Sequence, residues 1–264
     1  SYIGVKLADA LIKNFADDEI FVEINENIRG EDVFIIQSTS HPANDHLMEL
    51  LFMADACRRA SAKTISAVIP YFAYGRTDKK DQPRVPITGR LVADLLTTAG
   101  AERVLTIDLH AGQIQGFFNI PVDELTALPL LSRYIKDKEL KDPVAVAIDI
   151  GASKRARNMA ERIEASLAIM EKRRVDNNDS AEALNIIGEV SGHTALTVDD
   201  EIDTGSSLLS TINTLLAGGV TEVYACCTHG CLLYTSPSPR DATLSRMPAS
   251  ARKKKGGGGG GGGG

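Results

Sequence analysis

The 264-residue chain carries 35 Asp/Glu against 29 Lys/Arg, and residues 231–264 hold six of the bases and one of the acids, so residues 1–230 have a net charge of −11. A body this acidic argues against general nucleic-acid binding. A hydrophobic content of 43% suffices for two modest α/β domains or one large one, no apolar run nears the length of a membrane span, and no signal-peptide pattern opens the chain. The four cysteines form neither a disulfide framework nor a zinc pattern; Cys226 and Cys227 read as small core residues, and a reducing cytoplasm is expected.

In chain order, Tyr2–Leu11 has helical periodicity, Phe15–Glu19 reads as a turn, and Ile20–Ile24 and Val33–Gln37 read as strands. A helix is predicted over Asn44–Ala60 with Leu47, Leu50, Leu51, Ala54 and Cys57 inward, followed by a strand over Thr64–Ile69. The loop Pro70–Pro86 then places Tyr71, Phe72 and Tyr74 beside Arg76, Lys79 and Lys80. Aromatic rings beside cations at a strand's carboxyl end suit a base with its phosphates, although such a loop alone also fits a solvated surface. There is no Walker loop, and no G-x-G-x-x-G before the terminal glycine run.

Helix Thr88–Thr98 and strand Arg103–Ile107 lead to Asp108-Leu109-His110. Alternation along an extended segment would put Asp108 and His110 on one side, where carboxylate and imidazole could hold a metal, though a lone His is more often structural. Helix Leu128–Ile135 precedes the charged connector Lys136–Glu139, and a domain boundary is placed after Lys138. Strand Val144–Ile148 ends at Asp149 before helix Ser153–Ile163, a strand-to-helix unit with an acid at its edge. Strand Leu167–Met170 runs into Glu171–Arg174, and the polar stretch Val175–Ala181 predicts a mobile loop. Lys172 and Arg174 alternate along that edge, so both could close over transferring phosphates, against the plainer reading of a solvated charge run.

The most informative stretch is Thr197–Ser207. A strand over Thr194–Val198 precedes it, and a helix follows through Leu208, Leu209, Ile212, Leu215 and Leu216 until Gly218-Gly219, ahead of a strand over Val220–Cys227. Thr204, Gly205, Ser206 and Ser207 at a helix N-terminus suit a phosphate. Asp199, Asp200, Glu201 and Asp203 would repel a bare phosphate unless they hold sugar hydroxyls or magnesium beside it. A phosphorylated sugar satisfies both halves, whereas helix capping alone explains a single Asp or Ser rather than the whole string.

The string resembles the phosphoribosyl pyrophosphate loop of type I phosphoribosyltransferases and phosphoribosyl pyrophosphate synthetases, with Ser206 where Gly is usual and Ser207 where Thr is usual. It occurs in one order with Arg76-x-Asp78-Lys79-Lys80, Asp108-Leu109-His110 and Gln113-Ile114-Gln115-Gly116-Phe117-Phe118. Together these make Tyr2–Gly230 resemble the ribose-phosphate pyrophosphokinases of the phosphate-dependent class. The resemblance implies an α/β fold of two type I phosphoribosyltransferase-like domains, each a mostly parallel sheet flanked by helices. Residues 1–138 would form an ATP-binding and assembly domain and residues 139–230 a ribose 5-phosphate-binding domain.

The implied reaction moves the β,γ-diphosphoryl group of ATP to the 1-hydroxyl of ribose 5-phosphate, giving phosphoribosyl pyrophosphate and AMP for nucleotide biosynthesis. Lys172 and Arg174 match the catalytic loop. Phe15, Asp17, Asp18, Glu19, Arg76 and Thr77 match ATP-binding positions. Arg174, Asp199, Asp200, Asp203, Thr204, Gly205, Ser206 and Ser207 would hold ribose 5-phosphate, and His110, Asp149 and Asp108 would hold Mg2+. Inorganic phosphate is the implied activator, and a homo-hexamer with the ATP site between subunits the implied assembly; no nucleic-acid or membrane partner is expected. Thr77 in place of Gln, Asp18 in place of Gly, Asn119 in place of Asp, and Ala152 in place of a second Gly depart from the pattern.

A type I phosphoribosyltransferase would use the same sugar-phosphate loop, but leaves Arg76–Lys80, Asp108/His110 and Lys172/Arg174 without a role. A non-catalytic partner resembling the synthetase would have no need of Lys172, Arg174, His110 and Asp149. Beyond Gly230, Cys231–Arg240 resembles translated sequencing adapter, and three Lys and nine Gly close the chain. Residues 231–264 are therefore expected to be a non-native tail on an internal fragment, and the polypeptide as written to be poorly stable and inactive although its parent gene encodes an enzyme.

Overall fold

The computed structural model describes residues 4–174 and 182–230. The polypeptide opens with an antiparallel hairpin of β1 (Ala10–Asn14) and β2 (Ile20–Ile24), turned at Phe15–Glu19, where Asp18 takes a φ of 65°. The helix expected up to Leu11 is replaced there: Ala10 and Leu11 pair with Ile24 and Glu23. A short apolar run satisfies either period, and pairing with β2 satisfies its backbone groups.

The first sheet is parallel throughout, in the order β3 (Asp32–Ile36), β4 (Thr64–Ile69), β5 (Arg103–Ile107), β6 (Val122–Leu125). Crossover helices α1 (Ala43–Arg59) and α2 (Thr88–Ala99) pack on each other and share one core with the sheet, in which Leu50, Ala54, Leu96, Val104 and Ile114 are fully buried. The five α1 positions expected to face inward, Leu47, Leu50, Leu51, Ala54 and Cys57, are its five buried residues.

The second sheet has the order β11 (Glu222–Gly230), β10 (Thr194–Ile202), β7 (Pro143–Ala147), β8 (Ser166–Arg174), β9 (Glu182–Ile187), parallel except for β9 against β8. Val144, Ala145, Val146 and Ala147 are all fully buried, because helices cover both faces of this central strand. On one face α3 (Leu128–Lys136) and α4 (Ser153–Ile163) pack together, with Leu128, Ile135 and Met159 against Leu196 and Val198. Leu215 of α5 (Ser206–Ala217) joins a separate cluster with Val144, Val146 and Ala195. The apolar face of α3 thus serves the second core, although the helix precedes the connector at Lys136–Glu139.

Chain order runs from β7 outward through β8 and β9, then returns to β10 on β7's other side. Strand order therefore reverses between β7 and β10, and the loops leaving their carboxyl ends flank a crevice suited to a ligand. β10 itself runs longer than expected. Asp199 and Glu201 pair with Cys227 and His229 on β11, so the loop ahead of α5 shrinks to Asp203, Thr204 and Gly205. β8 likewise continues to Arg174, and Lys172 and Arg174 are in register with Leu184 and Glu182 of β9. The mobile loop expected over Val175–Ala181 lies outside the described residues. So does the expected tail at 231–264.

Candidate active site

The carboxyl ends of the two sheets face each other across a cleft of about 910 Å³. The first sheet contributes Arg76, after β4, and Asp108 and His110, after β5. The second contributes Asp149, after β7, Lys154 and Arg155 in the first turn of α4, and Asp199–Ser207 at the junction of β10 and α5.

Asp200 is the hub of the cleft floor, its side chain only 11% exposed. It accepts from His110 Nδ1 at 2.8 Å and from Arg155 Nη1 at 3.0 Å, and its own N–H donates to Asp199 Oδ1 at 2.8 Å. Burial works to raise the Asp200 pKa, but His110, the Asp199 contact and Arg155 outweigh it and hold this carboxyl well below the usual range. For Asp199 burial and the neighbouring Asp200 win, and its pKa is pushed up to about 7. The adjacent acids thus divide the work, one ionised and one able to carry a proton near neutrality. The bond to Asp200 raises the His110 pKa, with burial opposing it.

A second set of contacts closes the seam between the sheets. Arg76 donates through Nε to Glu201 and through Nη1 to Asp203 Oδ2 at 2.8 Å, and Tyr71 donates to Glu201 Oε2 at 3.0 Å. Asp108 Oδ2 accepts from Ala127 N at 2.9 Å and from Thr228 Oγ1 at 2.6 Å, while His229 Nε2 donates to the Ile107 carbonyl at 2.8 Å.

The sugar-phosphate loop has the conformation its glycine demands. Gly205 caps α5 in the left-handed region, φ 74°, and its carbonyl accepts from Leu209 N at 2.9 Å. Thr204 and Ser206 hydroxyls lie 3.0 Å apart, Ser206 N donates to Thr204 Oγ1 at 3.4 Å, and Gly205, at the N-cap of α5, supplies no side-chain cap. This helix start lines the cleft and suits a phosphate.

Two family models match the chain: the N-terminal domain of ribose phosphate pyrophosphokinase over residues 1–100, and the phosphoribosyl transferase domain over residues 126–244. A ribose-phosphate pyrophosphokinase of Agrobacterium fabrum is 56% identical over 232 residues, covering 88% of this chain and 74% of that one. Another from Corynebacterium ammoniagenes is 56% identical over 228 residues, covering 86% and 72%. The chain belongs to the ribose-phosphate pyrophosphokinase family. The crystal structure of a phosphoribosylpyrophosphate synthetase from Mycobacterium smegmatis superposes with a TM-score of 0.83 at 40% identity, covering 89% of this chain and 77% of that one.

The fold brings together Arg76, Asp108, His110, Asp149, Asp199, Asp200 and Asp203–Ser207 of the residues expected to form a pyrophosphokinase site. It does not add Phe15, Asp17, Asp18 or Glu19, which sit on the β1–β2 turn outside the cleft wall, where Phe15 packs edge-on against Phe21. Thr77 is also outside the wall; its carbonyl accepts from Gly89 N. For Lys172 and Arg174 only backbone position is described. Ile169 is paired with Ala147, so Lys172 lies three residues, about 10 Å, further along β8 on the side where Asp149 emerges.

Asp108 and His110 both line the cleft but take different hydrogen-bond partners: β5 ends at Ile107, Asp108 takes a φ of 44° and accepts from Thr228, and His110 donates to Asp200. The sequence singles out neither Arg155, Thr228 nor His229, and it places Tyr71 and Glu201 only within stretches suited to a base with its phosphates and to sugar hydroxyls or magnesium. Arg155 had one legible signal, its place in the first turn of the helix that follows Asp149.

Among the described residues no three His, Cys, Asp or Glu side chains are grouped to cage a metal. The donors nonetheless fit Mg2+, which keeps several waters and binds through one or two protein groups plus substrate phosphates. His110 Nδ1 is committed to Asp200, leaving Nε2 as the ligating atom in a carboxylate–histidine arrangement. Asp149 spends Oδ1 on Ala152 N at 2.8 Å, leaving Oδ2. Among the described residues the cleft wall carries seven Asp/Glu against three Lys/Arg, a balance that suits a polyanionic substrate entering with a cation. No helix among the described residues is long and apolar enough to cross a membrane.

Proposed function

We propose that this protein transfers the β,γ-diphosphoryl group of ATP to the 1-hydroxyl of ribose 5-phosphate. The C1 oxygen attacks the β-phosphorus, the bond from that phosphorus to the α,β-bridging oxygen breaks, the hydroxyl proton is released, and AMP leaves. The observation that carries this reading is the split of the cleft between two sheets. One supplies a sugar-phosphate loop, and the other supplies Arg76 and His110 opposite it. A phosphoribosyltransferase would need only the first half.

The N–H groups at the start of α5 and the hydroxyls of Thr204, Ser206 and Ser207 bind the 5-phosphate, with Asp203 beside them. Asp199 and Asp200 accept from ribose hydroxyls. Arg76 binds ATP phosphates. Lys172 and Arg174, on β8, would stabilise charge on the transferring group, and Arg174 would also bind ribose 5-phosphate. His110 Nε2 and Asp149 would hold Mg2+, with Asp108 kept behind them by Thr228, and a bound Mg2+ would supply charge neutralisation on the phosphates.

Phe15, Asp17, Asp18 and Glu19 complete an ATP site only when a neighbouring copy brings its hairpin, which fits a homo-hexamer with inorganic phosphate as activator, acting in the cytoplasm. The test is ATP labelled with oxygen-18 at the α,β-bridging position. The reading predicts that all label leaves in AMP; label appearing in phosphoribosyl pyrophosphate would overturn it.

A further inference from the structure

Glu201 has a place in the cleft that the reading above does not use. Its side chain is 9% exposed, yet among the described residues no cation of its own sheet pairs with it, and its two hydrogen-bond partners come from the loop after β4. A carboxylate buried this far is costly unless paired and hydrogen-bonded. Here Oε1 takes the Nε of Arg76 and Oε2 takes the hydroxyl of Tyr71. On its strand Glu201 is in register with His229, whose ring packs edge-on against the same tyrosine, centroids 5.1 Å apart. The carboxylate is therefore held from across the seam, and His229 on the neighbouring strand packs against the tyrosine that holds it.

Arg76 divides its donors unequally. Nε goes to the enclosed Glu201, whereas Nη1 goes to Asp203, which is 29% exposed and belongs to the loop ahead of α5. Arg76 itself is 48% exposed, and it is the only Lys or Arg that the first sheet's loops contribute to the cleft wall among the described residues. A guanidinium presents its donors as a rigid fork, so fixing Nε fixes the plane in which both terminal nitrogens lie.

We propose that Glu201 is a positioning residue: it clamps the Nε edge of Arg76 across the seam, so that the terminal nitrogens face the cleft for a nucleotide phosphate and Asp203 is a displaceable stand-in for that anion. Without the clamp, Asp203 is the only anion left to Arg76. The guanidinium then leans into the sugar-phosphate loop and away from the nucleotide. This inference rests on the reading of Arg76 as an ATP-phosphate ligand.

The experiment compares the protein expressed from its own gene with Glu201→Gln and Tyr71→Phe. Mg·ATP affinity is measured by calorimetry, and KM for both substrates and kcat by steady-state kinetics. Gln keeps a neutral acceptor for Nε but removes the charge. Loss of a charge-assisted bond corresponds to about a tenfold weaker Kd and higher KM for ATP, with kcat and the ribose 5-phosphate KM changed by about threefold or less. Tyr71→Phe leaves every charge in place and should weaken ATP about fivefold, in the same direction.

ATP affinity unchanged in both folded variants would overturn the role of Glu201, as would equal losses for the two substrates. Wild-type protein that binds Mg·ATP but forms no phosphoribosyl pyrophosphate would overturn the functional reading instead, and the ratio of ATP affinities would still decide Glu201. If Glu201→Gln fails to fold, Tyr71→Phe alone decides.

Discussion

His110 on the first sheet donates through Nδ1 to Asp200 on the second, at 2.8 Å, so one imidazole joins the two halves of the cleft. Because that bond raises the His110 pKa, the contribution of the pair to stability is fully present below the unfolded value of about 6.5 and is lost as pH rises through the higher folded value. Imidazole NMR should report His110 titrating above the unfolded value in the metal-free protein. Mg2+ should lower its apparent pKa by competing for Nε2, and Asp200→Asn should return it toward the ordinary value. A titration that ignores both Mg2+ and Asp200→Asn would contradict the arrangement.

Arg155 is expected to matter more for ribose 5-phosphate than for ATP. Its guanidinium reaches both acids, 3.0 Å from Asp200 and 3.7 Å from Asp199. Arg155→Met leaves a largely buried carboxylate short of charge, at a cost of about 3 kcal/mol, which would lower Tm by roughly 6–12 °C. With less cation nearby, Asp199 should hold its proton more tightly, and the KM for ribose 5-phosphate should rise tenfold or more. A melt and a KM for ribose 5-phosphate equal to wild type would remove Arg155 from the site.

Gly205→Ala probes the loop geometry. At φ 74° a Cβ costs about 1–2 kcal/mol, and the strain falls on the turn that aims the first N–H groups of α5. We expect about a tenfold higher KM for ribose 5-phosphate with ATP affinity preserved. Leu50→Ala, deep in the first core, should instead cost about 2–5 kcal/mol of stability without altering either KM at permissive temperature. Thermal melts read beside kinetics separate the two behaviours.

Much of this fold is legible in the residues. The spacing of Leu47, Leu50, Leu51, Ala54 and Cys57 marks the buried stripe of α1, and β4, β5 and α4 begin and end where their apolar periods do. The carboxyl half of β10 is not legible, because Asp199, Asp200 and Glu201 read as loop residues by composition. They stay in the sheet because β11 supplies ladder partners from more than twenty residues away. β1 fails for the opposite reason, a short apolar run whose period does not choose between helix and strand.

The site divides in the same way. The loop Asp203–Ser207 is contiguous in sequence, so its place at the start of a helix can be read there. Arg155 hides in a helix whose visible pattern is Ala156, Met159 and Ala160, and the Arg76–Glu201 pair spans 125 positions of chain that only folding brings together. The partners of Asp108 are not legible in the sequence, because the strand alternation ends at Ile107 and Thr228 lies 120 positions away.

The most direct measurement is phosphorus NMR of the purified protein with ATP, ribose 5-phosphate, Mg2+ and inorganic phosphate, alongside Lys172→Ala. The account predicts AMP and phosphoribosyl pyrophosphate rising in equal amounts, with turnover lost in Lys172→Ala while ribose 5-phosphate still binds. ADP in place of AMP, or phosphoribosyl pyrophosphate consumed only when a base is supplied, would contradict it.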